Sequence, residues 1–359
     1  MEIKYIDLFA GIGGFRYGME SSNGSKNGRS QKDTQTDKGQ GFQSKEGKDA
    51  STTQGQNNEQ SNSESKQRTF TCVYSNEWDK YASQIYKKHY GECDDRDIRT
   101  VKSSEIPDFD LLVGGFPCQA FSIAGKRKGF DDTRGTLFFE IARILADKRP
   151  RYFILENVKG LLSHDEGKTF QTILGVLTDL GYEYQWQVLN SKNFGVPQNR
   201  ERVFIIGHLR ETSRPKVFPI RENSEPDIVL PTLTARYWGG QANGGYIGNK
   251  PKQIIGGSQG NRVYDPSGTS VTLASQAGGL GAKTGLYMTP KIRRLTPTEC
   301  ERLQGFPDGW TAEGVINTGS ILGGSNGYGI VDISDTQRYK CLGNAVTTNV
   351  ITAIIERMI

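Results

Sequence analysis

Six short apolar runs, at residues 3–9, 71–76, 111–115, 152–156, 184–189 and 202–208, punctuate the first two-thirds of the chain, and amphipathic stretches fill the intervals between them. Runs of four to nine residues are strand-sized, and the intervals at 79–90, 135–148 and 169–180 carry helical periodicity, as does 347–358 near the far end. Strands alternating with helices imply an α/β fold around a mainly parallel sheet. Beyond residue 208 the texture changes. From 209 to 337 Gly, Thr, Ser, Asn and Pro dominate, short β-like pieces replace helical periodicity, and a second, smaller, loop-rich domain is expected. Inside it, 231–248 and 271–288 share a Thr-Leu start, a Gly-Gly pair and a following Tyr, a weak internal duplication.

One stretch interrupts this order. Residues 21–68 hold no Leu, Ile, Val or Met and are crowded with Ser, Gln, Asn, Gly, Lys and Asp. So little apolar surface cannot offset the entropy of ordering, so the segment reads as a disordered insertion. The rest of the 359 residues, with 35% hydrophobic and 24% charged residues overall, is ordinary globular material. No run approaches the roughly 20 apolar residues of a membrane span, and the N-terminus lacks the marks of a signal peptide, so a cytoplasmic location is expected. Five cysteines without a CxxC pair and three scattered histidines argue against a disulfide framework and a zinc site; no metal is expected. A net charge of +5 permits a polyanionic partner without requiring one.

The first run leads into Asp7-Leu8-Phe9-Ala10-Gly11-Ile12-Gly13-Gly14-Phe15, a glycine turn between a strand and a helical stretch that lets backbone approach a nucleotide-like ligand closely. Glu77 ends the next run. Of the 66 positions between Gly11 and Glu77 the insertion takes 48, which leaves 18. That is close to the ~20 at which an acid reaches ribose hydroxyls in nucleotide-binding βαβ units. Asp97-Ile98, after a further helix, suits an adenine amino group and ring face. These residues leave a dinucleotide and S-adenosylmethionine both open, although Asp7 beside the loop suits an amino-acid moiety better than a diphosphate.

Cys118 follows Leu111-Leu112-Val113-Gly114-Gly115-Phe116-Pro117, just past the carboxyl end of a central strand, the edge at which open α/β sheets build their sites. A lone cysteine is more often a small core residue, but the Gly-Gly and Pro neighbours describe an exposed rigid turn. Glu156 closes the next run at the same edge. Arg200 and Arg202 stand at the start of the sixth run, where one is expected to face a cleft while the other pairs with structure. Cysteine, acid and arginine match the demands of methylating cytosine carbon 5, which is too electron-poor to accept a methyl group directly. A thiolate adding at carbon 6 makes carbon 5 nucleophilic, while an acid at N3 and an arginine at O2 stabilise charge developing on the ring. No residue is an obvious acceptor for the carbon-5 proton, a task water can perform.

DLFAGIGGF, YSNEWDKYA, GGFPCQAFS, RGTLFFEIARIL, ENVKG, GVPQNRERVFIIG, RRLTPTECERLQGFPD and CLGNAVTTNV resemble, in order, the motif series of the DNA cytosine-5 methyltransferases, in particular the bacterial GCGC-type restriction–modification branch. The resemblance spans nearly the whole chain outside the insertion and parts of the second lobe. It implies a Rossmann-like S-adenosylmethionine-dependent methyltransferase sheet with a smaller loop- and β-rich target-recognition domain. It also implies that Phe9, Gly11, Gly14, Glu77, Trp78, Asp97, Ile98, Pro117, Leu137, Asn344 and Val346 line the cofactor pocket, with Cys118, Glu156 and Arg202 catalytic. Because Asn344 comes from the far end, the catalytic domain is expected to combine 1–208 with 338–359, and the target-recognition domain to be 209–337.

The resemblance further implies that 119–136 closes over DNA once a cytosine has been extruded, with Lys126 and Arg127 meeting phosphates. Gln259 would fill the gap left by the flipped base, Arg262 read a guanine edge and Thr272 hold the flipped nucleotide's backbone. Ala274 and Gln276 stand where the GCGC branch has serine and tyrosine, and 311–335 has no counterpart there, so no recognition sequence carries over. The implied partners are double-stranded DNA and a restriction endonuclease acting separately, the implied state a monomer. The alternatives are an RNA cytosine-5 methyltransferase and a catalytically silent DNA-binding protein.

Overall fold

The structure, a computed structural model, describes residues 2–23, 69–117, 137–212, 215–220, 251–256, 262–273, 285–288, 292–317 and 327–358. Its centre is a six-stranded sheet in the order β2-β1-β3-β4-β6-β5. The strands are β1 (Glu2–Leu8), β2 (Thr69–Asn76), β3 (Leu111–Gly115), β4 (Tyr152–Val158), β5 (Tyr182–Asn190) and β6 (Glu201–Leu209). All six apolar runs are strands. Pairing is parallel from β2 through β4, whereas β6 runs antiparallel to both β4 and β5. The sheet is thus mainly parallel with one reversed member, and the reversal carries the beginning of β6 to the carboxyl end of β4.

Apolar residues on the two faces of the sheet recruit different helices. One face buries Ile6, Leu8, Leu112, Phe153 and Leu155 against α3 (Leu137–Lys148) and α4 (Lys168–Asp179). The other buries Tyr5, Val113, Ile154 and Phe204 against α1 (Gly14–Asn23) and the last helix, α7 (Thr348–Met358). The C-terminal helix therefore folds back beside the first strand, as Asn344 required. Helices α1 and α7 touch closely: a Cβ on Gly18 would meet Ile351 Cβ at 2.7 Å. Between them in sequence come α2 (Lys80–Tyr90), α5 (Pro297–Leu303) and α6 (Asp335–Asn344). Asp79 caps α2 by accepting from the backbone of Tyr81 and Ala82, and Thr296 with Glu299 forms a reciprocal capping box on α5.

Connectivity places a crevice. The chain steps from β1 outward to β2 and then returns to the other side of β1 for β3, so the order reverses between β1 and β3. Open sheets bind ligands at the carboxyl ends of strands flanking such a reversal.

A second sheet, β10-β9-β8-β7, is built from β7 (Gln253–Ile255), β8 (Val263–Tyr264), β9 (Leu286–Met288) and β10 (Ile292–Arg293). It joins the catalytic lobe through a bridge between Gln198 and Ser270. Its Tyr264 and Tyr287 belong to an apolar cluster that extends well beyond the sheet. Leu295, Cys300, Leu303, Phe306, Trp310 and Ile333 share an apolar cluster with Ile12, Ala82 and Ile85, and Trp310 Nε1 donates to the Ile12 carbonyl at 3.0 Å. Within 311–335, β11 (Glu313–Asn317) and β12 (Tyr328–Asp332) form a hairpin on α2, where Gly314 lies against Gln84. Residues 215–220 lie along β5, held by the side-chain amides of Gln185 and Gln187. The insertion begins inside α1, which runs on to Asn23; 24–68 and 231–248 lie outside the described residues.

Candidate active site

At the carboxyl edge of the sheet lies a cavity of about 730 Å³ lined by Phe9, Gly11, Glu77, Trp78, Pro117, Leu137, Glu156, Arg202 and Asn344, among others. These nine were singled out from sequence, and they come from β1, β2, β3, α3, β4, β6 and α6 and the turns beside them. The volume falls in the range of small-molecule sites.

On the side expected to take the cofactor the glycine turn and the acid meet directly. The Gly11 N–H donates to Glu77 Oε2 at 2.8 Å, and the Asp79 N–H donates to Oε1 at 2.7 Å. Gly11 has φ +57°, a backbone state that glycine adopts without strain. Burial raises the pKa of Glu77, and the two backbone hydrogen bonds oppose the shift. Trp78 leaves 60% of its surface open at the rim, an aromatic face free to stack on a planar ring. Asp79 is also paired with Lys340 on α6 at 2.5 Å, and both line the cavity. That ion pair was not anticipated from sequence, where Asp79 marked only a helix start.

Four expected cofactor residues do not reach the cavity wall. Gly14 sits behind it: an added Cβ would meet Val346 Cγ1 at 2.7 Å and the Val346 carbonyl at 3.0 Å. Gly14 and Val346 therefore pack on each other where α1 starts beside the C-terminal segment. Asp97 caps a 3₁₀ turn at Ile98–Thr100 and binds the Arg99 guanidinium at 2.5 and 3.0 Å. Ile98 is in the core. Asp7 departs from its reading as well: it is fully buried on β1, and neither carboxylate oxygen has a hydrogen-bond partner among the described residues. Burial drives its pKa well above the ordinary carboxylate value, with Arg16 opposing and Glu77 adding.

On the other side of the cavity Arg202 Nε lies 3.0 Å from Glu156 Oε1. Antiparallel register sets Arg202 opposite Val158 and Phe204 opposite Glu156, so the pair is a diagonal neighbour on one face of the sheet. Both side chains are nearly buried. Burial raises the Glu156 pKa against the pull of Arg202 and Arg200. Gly115 faces this acid, with room for a Cβ only 3.1 Å from Glu156 Oε2. Asn157 Nδ2 donates to the Phe116 carbonyl at 2.9 Å and anchors the turn leading to Pro117. Cys118, Lys126, Arg127 and Gln259 lie outside the described residues, although Pro117, next to Cys118 in the chain, is on the rim.

Arg200 is the structural member of the arginine pair. It is 1% exposed and donates to three carbonyls, those of Gly343, Ala345 and Leu273. Thr272 donates its hydroxyl to the Asn199 carbonyl at 2.5 Å. Arg262 lines a separate groove with Asn190, Lys192, Asn199, Glu201 and Gln253. Among the described residues no cluster of His, Cys, Asp and Glu could hold a metal ion, and no helix is long and apolar enough to cross a membrane.

An acid–arginine pair beside a nucleotide-type pocket invites comparison with known proteins. The profile of the C-5 cytosine-specific DNA methylases matches residues 59–238 and 238–359. The chain belongs to that family. Its reaction class is methylation of cytosine carbon 5 in DNA. Over 98% of this chain and 93% of the relative it is 35% identical to "Type II methyltransferase M.HhaI" of Haemophilus parahaemolyticus. It is 37% identical to "Type II methyltransferase M1.ScrFI" of Lactococcus lactis subsp. cremoris, over 99% of the chain and 78% of that protein. Among solved structures, the Dnmt2 methyltransferase of S. pombe superposes with a TM-score of 0.61 at 18% identity, covering 98% of this chain and 97% of its own. That likeness bears on the fold, a Rossmann-like methyltransferase sheet.

Proposed function

We propose that this chain is a DNA (cytosine-5-)-methyltransferase that acts on a cytosine flipped out of duplex DNA, with Cys118 as nucleophile, Glu156 as acid and S-adenosylmethionine as methyl donor. The observation that carries the reading is the Glu156–Arg202 pair in one cavity with Glu77, Trp78 and Asn344. A nucleoside-type cofactor fits the donors present: a buried carboxylate, an open indole face, a glycine turn and a carboxamide residue from α6. Bound there, S-adenosylmethionine supplies an electrophilic methyl group.

The chain's own groups divide the remaining work. The Cys118 thiolate adds to cytosine carbon 6, and the electrons displaced through the ring make carbon 5 nucleophilic. Glu156, whose pKa burial raises, donates toward N3 and stabilises that charge. Arg202 holds the Glu156 carboxyl from one side and offers its remaining N–H groups to O2. After carbon 5 has gained the methyl group, loss of its proton to water and elimination of the thiolate restore the aromatic ring. Extrusion is required because carbons 5 and 6 cannot be approached face-on within the stack.

Both relatives named above are Type II methyltransferases, which supports a role in protecting host DNA beside a separately acting restriction endonuclease. The test is methyl-label transfer to unmethylated plasmid DNA, compared with total transfer RNA, by the wild type and by Cys118→Ser. Labelled plasmid and a silent Cys118→Ser that still binds S-adenosylhomocysteine are expected. Label on transfer RNA alone, or undiminished transfer by Cys118→Ser, overturns the reading. Bisulfite sequencing of DNA from a host expressing the gene then identifies the target cytosine.

A further inference from the structure

Arg200 holds together segments that are far apart in sequence. Its Nη2 donates to the carbonyls of Gly343 at 3.0 Å and Ala345 at 2.7 Å, the residues on either side of Asn344 in the cofactor wall. Its Nη1 donates to the Leu273 carbonyl at 3.4 Å, one residue beyond Thr272. The backbone beside Arg200 is tied to that same segment. Asn199 N–H donates to Ser270 O at 2.8 Å, Ser270 N–H to Pro197 O at 2.7 Å, and Thr272 Oγ1 to Asn199 O. Two residues later in the chain, Arg202 grips the catalytic acid. A planar guanidinium with donors in a fixed fork can satisfy carbonyls in two directions at once, which a lysine ammonium on its flexible stem does not reproduce.

A buried guanidinium is costly unless its donors are used, so the carbonyls of both segments hold Arg200 in this geometry. Arg200 Nε has no partner among the described residues, and the side chain lines the cavity. Anything that shifts the 343–345 segment by a fraction of an ångström must pull on the same guanidinium that fixes the carbonyl of Leu273.

We propose that Arg200 is a positioning residue that couples occupancy of the cofactor pocket to the target-recognition segment at 269–273, so that cofactor binding tightens the hold on duplex DNA. The inference rests on the reading of this cavity as the cofactor and target site. Coupling of this kind is reciprocal and is typically worth about 5- to 150-fold in affinity.

The experiment measures binding of a fluorescently labelled, unmethylated plasmid-derived duplex to the whole protein, with and without saturating S-adenosylhomocysteine, for wild type and Arg200→Lys. Calorimetry records S-adenosylhomocysteine binding alone. The wild type should bind DNA more tightly with S-adenosylhomocysteine by a factor in the stated range. Arg200→Lys should still bind S-adenosylhomocysteine but bring that factor close to one, whereas Arg202→Lys should lower kcat and keep the factor. A second measurement needs no variant: on wild-type protein without DNA, S-adenosylhomocysteine should slow amide exchange across 269–273. Equal coupling in wild type and Arg200→Lys, or unchanged exchange at 269–273 with S-adenosylhomocysteine bound, overturns the proposal while leaving the cofactor site intact. Failure of the wild type to bind S-adenosylhomocysteine at all overturns the cofactor reading itself.

Discussion

Arg202 approaches Glu156 through Nε, at 3.0 Å from one carboxylate oxygen, and spends an Nη donor on the neighbouring Glu201 carbonyl at 2.8 Å. The arginine thus braces the acid from the side and leaves the second carboxylate oxygen toward Gly115, where no side chain intervenes.

Burial raises the Glu156 pKa against the attraction of Arg202 and Arg200, which suits the proton-donor role proposed for it. The protonated form should persist above the ordinary carboxyl range. The wild-type kcat is therefore expected to fall as pH rises through that raised value. Glu156→Gln keeps the shape and an acceptor for Arg202 but has no proton to give. Its kcat should drop by roughly 10²- to 10⁴-fold and lose this alkaline limb. A variant with wild-type kcat and the same pH profile would remove Glu156 from the chemistry.

Asp7 sets a second pH dependence, in stability instead of rate. Its folded pKa is raised above the unfolded value, so no penalty exists at pH below the unfolded pKa, where both states are protonated. Stability is then lost as pH climbs from the unfolded toward the folded value, because only the unfolded chain ionises freely. Tyr5, Tyr86, Cys72 and Arg16 surround the group, and Arg16 only partly offsets the burial. Asp7→Asn removes the ionisation. The melting temperature of the variant relative to wild type is expected to rise as pH climbs above about 4, the unfolded carboxyl value. A difference that does not change with pH would show that Asp7 is ionised in the fold.

Gly14→Ala tests the packing of α1 on the C-terminal segment. Its Cβ would meet both the side chain and the backbone oxygen of Val346, and backbone cannot yield cheaply. A loss of about 1–3 kcal/mol in unfolding free energy is expected, together with weaker S-adenosylhomocysteine binding because Val346 is two residues from Asn344. Wild-type denaturant curves from the variant would contradict this contact.

Replacing 24–68 by a short Gly/Ser linker should leave kcat and melting temperature unchanged. Helix α1 leaves the carboxyl edge of β1 and descends ten residues, about 15 Å. Asn23, where α1 ends, and Thr69, where β2 begins, therefore lie toward the opposite edge of the sheet from Glu77, Pro117 and Glu156. Slower turnover or a lower melting temperature would assign the segment a structural or catalytic part.

How far the fold could be read in advance depended on how local its cause was. The six strands were visible because an apolar run of strand length needs no knowledge of its neighbours. The direction of β6 was not, since antiparallel pairing with β4 and β5 depends on contacts far away in the chain; yet that direction brings Arg202 to Glu156. Alternation could not separate Arg200 from Arg202, because residues two apart share a face of a strand and both line the cavity; their different partners are tertiary. Helix α5 went unseen because seven residues show too little periodicity, although Thr296 and Glu299 carried a capping signature. Residues 295–333 read as loop-rich from composition, but their contacts with Ile12 and α2 are tertiary, and composition does not encode them. The Asp79–Lys340 pair joins residues 261 positions apart, a relationship no local pattern carries.

The return of the last helix to the first has a consequence in time. During synthesis β1 and α1 are made before the other elements described, but the partner of Gly18 and Ile3 on that face, α7, is made hundreds of residues later. Until then the face shared by Tyr5, Phe15, Met19 and Val113 lacks the cover of α7, and the wall to which Asn344 belongs does not exist. The cavity closes only when the two ends of the chain meet, so a fragment released before residue 344 holds Glu156 and Arg202 but lacks part of the pocket beside them.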